Sequence, residues 1–159
     1  MSQPTTVRPV RHEDKRAWRR LYRGYAKYYG VEDPDLDIVW SWLNDPRHVL
    51  RGLIAFRDSR AVGLAHYRAV PRPLDGSVAG YLDDLFVEPE LRGGGAVDAL
   101  FAEINRLAVE RDWSVVRWTT ADDNYRARAV YDKLATRTTW ITYDMTPVAT
   151  GAGDTSATV

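Results

Sequence analysis

The sequence predicts an α/β domain built on a mixed sheet. Three observations carry that expectation. Strand-like and helix-like runs follow one another in the order β-α-α-β-β-β-α-β-α-β. A long helical pattern, Val97, Leu100, Phe101, Ile104, Leu107 and Ala108, lies between two strand patterns, and a helix crossing between two strands implies a mixed sheet. Between the first of those strands and that helix lies Tyr81-Leu82-Asp83-Asp84-Leu85-Phe86-Val87-Glu88-Pro89-Glu90-Leu91-Arg92-Gly93-Gly94-Gly95-Ala96-Val97. It reads as a strand, a bend at a proline that cannot donate to a ladder, and a glycine loop opening a helix.

The elements follow in order. Thr5 to Val10 is rich in β-formers and ends near Pro9, which suits an edge strand. A helix begins near His12; its apolar positions Trp18, Leu21, Tyr22, Tyr25, Tyr28 and Tyr29 keep helical spacing, and Gly30 closes it. Asp33-Pro34 signals the start of a second, short helix with the stripe Leu36, Val39, Trp40 and Leu43, which ends at Asn44-Asp45-Pro46. Val49 to Phe56 and Ala61 to Ala69 form a hairpin across a polar turn at residues 57–60, and residues 71–76 are a loop. Ser77 to Val87 is the strand entering the glycine loop. After the long helix, Ser114 to Thr119 is a strand. Asp122 or Asp123 caps a further helix with Ala127, Val130, Tyr131 and Leu134 on its buried side. Thr138 to Met145 alternates as a last strand. Residues 1–146 thus make one domain, and the small and polar residues of 147–159 read as a disordered tail.

Composition narrows the function classes. With 159 residues and 45% apolar content the chain can bury a core. Its net charge is zero, so nothing argues for a nucleic-acid-binding surface. It has no cysteine, which excludes disulfides, thiol nucleophiles and cysteine-ligated metals. His12 and His48 carry no metal spacing, and no metal is expected. No signal pattern or long uncharged apolar segment is present, so a cytoplasmic protein without membrane contact is expected.

The glycine loop is a place for phosphate oxygens: free N–H groups at a helix N-terminus, with Arg92 beside them. It is neither a P-loop, because Val97-Asp98 stands where Lys-Ser/Thr belongs, nor a dinucleotide fingerprint, because the third glycine is missing. Instead Leu-Phe-Val-Glu-Pro-x-x-Arg-Gly-x-Gly resembles motif A of the GNAT N-acetyltransferases. Asn124-x-x-Ala127-x-x-x-Tyr131, about thirty residues on, resembles that family's second landmark. The pattern usually ends in a small residue where Val97 stands here.

The resemblance covers roughly residues 5–145 and implies a GNAT fold, whose central strands splay around acetyl-CoA in a mostly antiparallel sheet flanked by helices. It implies that backbone amides at Leu85, Phe86 and Val87 pair with the pantetheine arm like an added strand. It places the pyrophosphate on Arg92, Gly93, Gly94, Gly95, Ala96 and Val97, and further cofactor contacts on Asn124, Arg126, Ala127 and Tyr131. Acetyl transfer from acetyl-CoA to a primary amine of a small molecule (a polyamine, a lysine analogue or an amino acid) is then the expected activity. Tyr-Leu-Asp-Asp-Leu-Phe-Val, Val7-Arg8-Pro9 and Ala26-Lys27-Tyr28 are similar to polyamine and thialysine acetyltransferases. Acetylation of protein lysines or N-termini, and an idle acetyl-CoA sensor, are the alternatives. Family members are often dimers, so a homodimer is expected too.

The reaction needs a base, because neutralising a lysine-like amine at pH 7 costs about 4.6 kcal/mol. Asp83 and Asp84 are the candidates. Adjacent strand residues face opposite sides, so only one should point into a given cleft. The resemblance implies Asp83 as base through water and Tyr131 as the acid for the leaving sulfur; Asp84 stays open as the base. Tyr25, Tyr28, Glu32, His66 and Asp83 are the candidates for holding the acceptor, the tyrosines through their faces. Core packing is the plainer explanation of the tyrosines, a packed or solvent-facing ring that of His66, and solvated loop charge that of Glu32.

Overall fold

In a computed structural model the structure describes residues 4–149. They fall into two compact units divided after Thr119. The first holds the whole sheet. Its strands β1 (Thr6–Pro9), β2 (Arg51–Arg57), β3 (Arg60–Arg72), β4 (Ser77–Val87) and β5 (Val116–Arg117) lie in the order β1-β2-β3-β4-β5. The first four are antiparallel, and β5 joins β4 in parallel. The edge position of β1 suits its closing proline. The β2–β3 turn puts Asp58 and Ser59 at φ 47° and 64°, the primed geometry that matches strand twist.

Helices cover both faces. On one side α3 (Ala96–Glu110) sets Ala96, Leu100, Ile104 and Leu107 against Leu53, Ala65, Tyr67, Leu82 and Val87. On the other, α1 (Lys15–Tyr28) and α2 (Leu36–Asn44) set Trp18, Leu21, Leu36 and Trp40 against Ile54, Leu64 and Phe86. Leu64 and Leu100 are fully buried on opposite faces, and each contributes about 1.5–3 kcal/mol relative to exposure. Asp14, buried at the start of α1, accepts from the two terminal guanidinium nitrogens of Arg8 at 2.7 and 2.8 Å and so ties β1 to the helix. The hydrogen bond and charge of Arg8 hold its carboxyl below the usual range, against burial, which acts the other way.

Two details of this unit position the site. β4 and β5 pair only through Gly80↔Val116 and Tyr81↔Arg117, so the β4 margin from Leu82 onward has no partner in β5. The pairing thus ends where the expected splay would begin, at the edge of the sheet rather than between central strands. In addition, β4 pairs with β3 through Leu82↔Tyr67 and then Asp84↔His66, which leaves Asp83 as the extra residue of a β-bulge.

Several expectations change. The cap of α2 is Asp35, whose carboxylate accepts from the Ile38 amide at 3.0 Å, two residues beyond the expected Asp33. In the second unit Asn124, not Asp122 or Asp123, caps α4 (Tyr125–Leu134) by accepting from the Ala127 amide. No residue of α4 is buried: Ala127, Val130 and Tyr131 are half-exposed and Leu134 is 47% exposed. The expected last strand, residues 138–145, has no secondary structure, and Trp140, Ile141, Tyr143 and Met145 are exposed. Its alternation supplied propensity, but a strand needs a ladder partner. The expected tail lies outside the described residues from 150 on; residues 147–149 are exposed and irregular.

Candidate active site

The bulge decides how the two carboxylates sit. His66 and Arg68 alternate on β3 and so share one face. Asp84 Oδ2 lies 2.7 Å from His66 Nδ1, and Asp83 receives Arg68 Nε–H at 3.1 and 3.2 Å. Both acids therefore engage the α1 side of the sheet. The expectation that only one could reach a given cleft fails, because the bulge breaks the two-residue alternation. The signal was in the sequence: Leu82 and Leu85, three apart, both pack in the α3-side core.

Asp84 is the more enclosed acid. Trp18 Nε1–H donates to His66 Nε2 at 2.8 Å. An indole only donates, so Nε2 accepts and the ring proton sits on Nδ1, directed at Asp84. Tyr22 donates its hydroxyl to the same Oδ2 at 3.3 Å, and Tyr25 adds a further hydrogen bond. Burial raises the Asp84 carboxyl, but His66 and the two hydroxyls outweigh it, and it is held below its ordinary value. Burial and the Asp84 charge push both phenols far up, so they remain protonated donors. Asp83 moves the opposite way. Burial raises it, the Asp84 charge adds to that, and Arg68 offsets part. A carboxylate raised in this way is the better proton acceptor of the two.

His66 is fully buried, so it has no surface to offer an acceptor; it reaches the site through Asp84. Tyr25 stacks on Tyr22 at 5.7 Å beside the carboxylates. Tyr28 is 54% exposed, with the Arg92 guanidinium 5.6 Å from its ring centre. Glu32 lies elsewhere, in a groove of about 940 Å³ with Arg19, Arg23, Lys27, Asp33 and Asp35, whose lining does not include Asp83.

Glu88 N–H donates to Val62 on β3, so by alternation the N–H groups of Val87 and Leu85 face the margin that β5 leaves unpaired, while that of Phe86 faces β3. Gly93 and Gly95 both have φ +81° with open space where a Cβ would stand, a turn that glycine makes without strain. Gly95 is the N-cap of α3. Arg57 donates to the Gly94 carbonyl and fills the space a side chain at Gly94 would need. Arg92 Nε–H donates to the Val87 carbonyl. Ala96 is buried, and Val97 packs against the core under α3, so its bulk is taken up there. A strand margin with free donors that runs into an open helix N-terminus fits an extended arm ending in phosphates. In the second unit Asn124 spends its side-chain oxygen on the cap, and Arg126 is exposed.

Residues 14–135 match the model of the acetyltransferase (GNAT) family. The chain belongs to that family. It is an N-acetyltransferase, and its cofactor is acetyl-CoA. The D-amino-acid N-acetyltransferase HPA3 of Saccharomyces cerevisiae is 28% identical over 141 residues, covering 86% of this chain and 88% of that protein. Among solved structures, the ribosomal-protein-alanine N-acetyltransferase of Brucella melitensis biovar Abortus 2308 superposes with a TM-score of 0.77 at 24% identity, over 91% of this chain and 99% of that one. The aminoglycoside N-acetyltransferase AAC(6')-Iy, solved with CoA, gives 0.76 at 19% identity, over 94% and 97%. These structures share the fold. No helix among the described residues is long and apolar enough to cross a membrane.

Proposed function

We propose that this acetyltransferase modifies the primary amine of a small molecule, with an amino acid as the first acceptor to consider. The observation that carries the reading is the pair Asp83 and Asp84, brought to one face of the sheet where β4 loses its partner and runs into the glycine loop. The similarity to a D-amino-acid N-acetyltransferase puts amino acids ahead of the polyamine and lysine-analogue acceptors that the β4 sequence resembles. An idle sensor ranks below, because it needs no carboxylate tuned as a base; a protein acceptor, whose amine needs the same base, ranks below on the similarity to a D-amino-acid N-acetyltransferase. A cytoplasmic homodimer belongs to the same proposal, and sedimentation tests its second half.

Leu85 and Val87 amides and the Gly93–Gly95 loop would hold acetyl-CoA, which supplies an activated acetyl thioester. Asp83 takes the proton of the acceptor ammonium at a carboxylate oxygen, directly or through water, so that the nitrogen attacks as a neutral amine. Asp84 stays charged and holds the ammonium nearby. Tyr131 is assigned the proton for the leaving sulfur by its place in Asn-x-x-Ala-x-x-x-Tyr. The amine attacks directly, so no residue of the chain need become acylated.

The test is thiol release from acetyl-CoA across amino acids, polyamines and aminoglycosides from pH 7 to 9. A chain without cysteine leaves CoA as the only thiol in the assay. Turnover with amines, reduced about 10²- to 10³-fold in Asp83→Asn, is expected. Full activity in that variant would remove Asp83 as base.

A further inference from the structure

We propose that Arg68 is the anchor for the acceptor's carboxylate, so that the acceptor is an α-amino acid held with its ammonium on Asp83 and its carboxylate on the outer fork of Arg68. This rests on the amine-acetylation reading above and narrows it.

Arg68 lies on β3 directly opposite Tyr81, the last β4 residue with a partner in β5. Its guanidinium sits 4.9 Å from the centre of the Tyr81 ring. Its Nε–H is spent on both oxygens of Asp83. Among the described residues neither Nη has a partner, and the side chain is 37% exposed. One edge of the guanidinium therefore fixes the base, and the other presents N–H donors to whatever approaches it.

That is a complement to a zwitterion. An α-amino acid carries ammonium and carboxylate on one carbon, and Asp83 and Arg68 present the opposite charges side by side. An Arg fork binds a carboxylate bidentately, and the ring beneath it holds the plane in place before the acceptor arrives. The arrangement also rejects. A polyamine or an aminoglycoside held on Asp83 would bring further ammonium groups toward the guanidinium, and like charges in contact select against such partners. Asp84 cannot substitute as the second anchor, because its charge has the wrong sign for a carboxylate. Arg68 is thus a specificity residue: it touches the acceptor away from the reacting atoms.

The experiment pairs each amino acid with its decarboxylated amine: lysine with cadaverine, ornithine with putrescine, phenylalanine with phenethylamine. Both kcat and KM are measured for the full chain, Arg68→Gln and Arg68→Lys. Binding of each pair to the CoA-loaded protein is followed by calorimetry, a readout that does not need turnover. The wild type is expected to prefer the carboxylate-bearing member. Arg68→Gln should raise KM for that member about 10- to 100-fold relative to its decarboxylated partner. Loosening of Asp83 would lower kcat for both members alike, and the diamines should bind better once the like charge is gone. Arg68→Lys should recover part of the loss, as a point charge without a fork. Equal use of both members by the wild type would overturn the proposal while leaving amine acetylation standing. A uniform loss for both members in Arg68→Gln would also overturn it, since Arg68 would then serve only Asp83. Discrimination in binding without turnover of any amine would keep the anchor and sink the reaction instead.

Discussion

Asp84 is held as an anion by three converging donors, and burial, with the Asp84 charge adding to it, raises the proton affinity of its neighbour Asp83. The buried Trp18 indole does the first part of this work, forty-eight residues from His66 in sequence. It forces His66 to present Nδ1–H to the carboxylate, and a proton cannot pass beyond His66, since an indole nitrogen accepts nothing. The chain Trp18–His66–Asp84 therefore orients and holds charge; it is no proton wire. None of this was legible: a histidine between Ala65 and Tyr67 reads as packing, and nothing local names its partners. The consequence concerns pH. Burial and then the Asp84 charge raise the proton affinity of Asp83, so if Asp83 is the base, loss of its proton should set an acidic limit on the rate that lies above the ordinary value for an aspartate. Asp84→Asn removes the like charge, so Asp83 should give up its proton at lower pH. The acid limb of kcat/KM should shift downward in Asp84→Asn, with activity above the limb reduced about tenfold. An unmoved limb would mean that Asp83 is not the group titrating, and loss of all activity would make Asp84 the base.

The elements were legible to different degrees. Ser77–Val87 lies where its residue types put it, because a proline closes it and a hairpin partner precedes it. The bulge at Asp83 was missed, although the three-residue step from Leu82 to Leu85 announced it. The caps of α2 and α4 moved by one or two residues, because an Asp or Asn caps where its oxygen reaches the third amide, whatever Pro or Asp precedes it. Residues 138–145 have strand composition and no strand. Gly95 shows the opposite case, a single position whose conformation is forced. As N-cap of α3 at φ +81°, it meets no atom where a Cβ would stand, so Gly95→Ala is strained by the backbone alone. That substitution should cost about 1–2 kcal/mol of stability, read by denaturant unfolding. It should also weaken acetyl-CoA binding, because a relaxed backbone turns the loop N–H groups away. Unchanged stability with unchanged affinity would show that the loop does not need its left-handed turn.

For the whole molecule, binding and folding share one free energy. Acetyl-CoA that binds only the folded chain stabilises it by about 2.7 kcal/mol at one hundred times its dissociation constant. For a chain of this length that is a rise in Tm of about 5–10 °C. The β4 margin, the glycine loop and α3 all belong to the unit ending at Thr119, while Tyr131 stands in the other. Fold and loop were readable because they rest on local signals, proline, glycine and apolar period; the role of Tyr131 rests on motif spacing alone. Tyr131→Phe separates the two. If Tyr131 only supplies a proton, the variant should keep the full thermal shift with acetyl-CoA while turnover falls about 10²-fold. Loss of the shift together with the rate would make Tyr131 a binding residue. A shift and a rate that both survive would leave the proton for the leaving sulfur to water. A wild-type chain whose Tm ignores acetyl-CoA would break the link between this loop and the cofactor, whatever the fold around it.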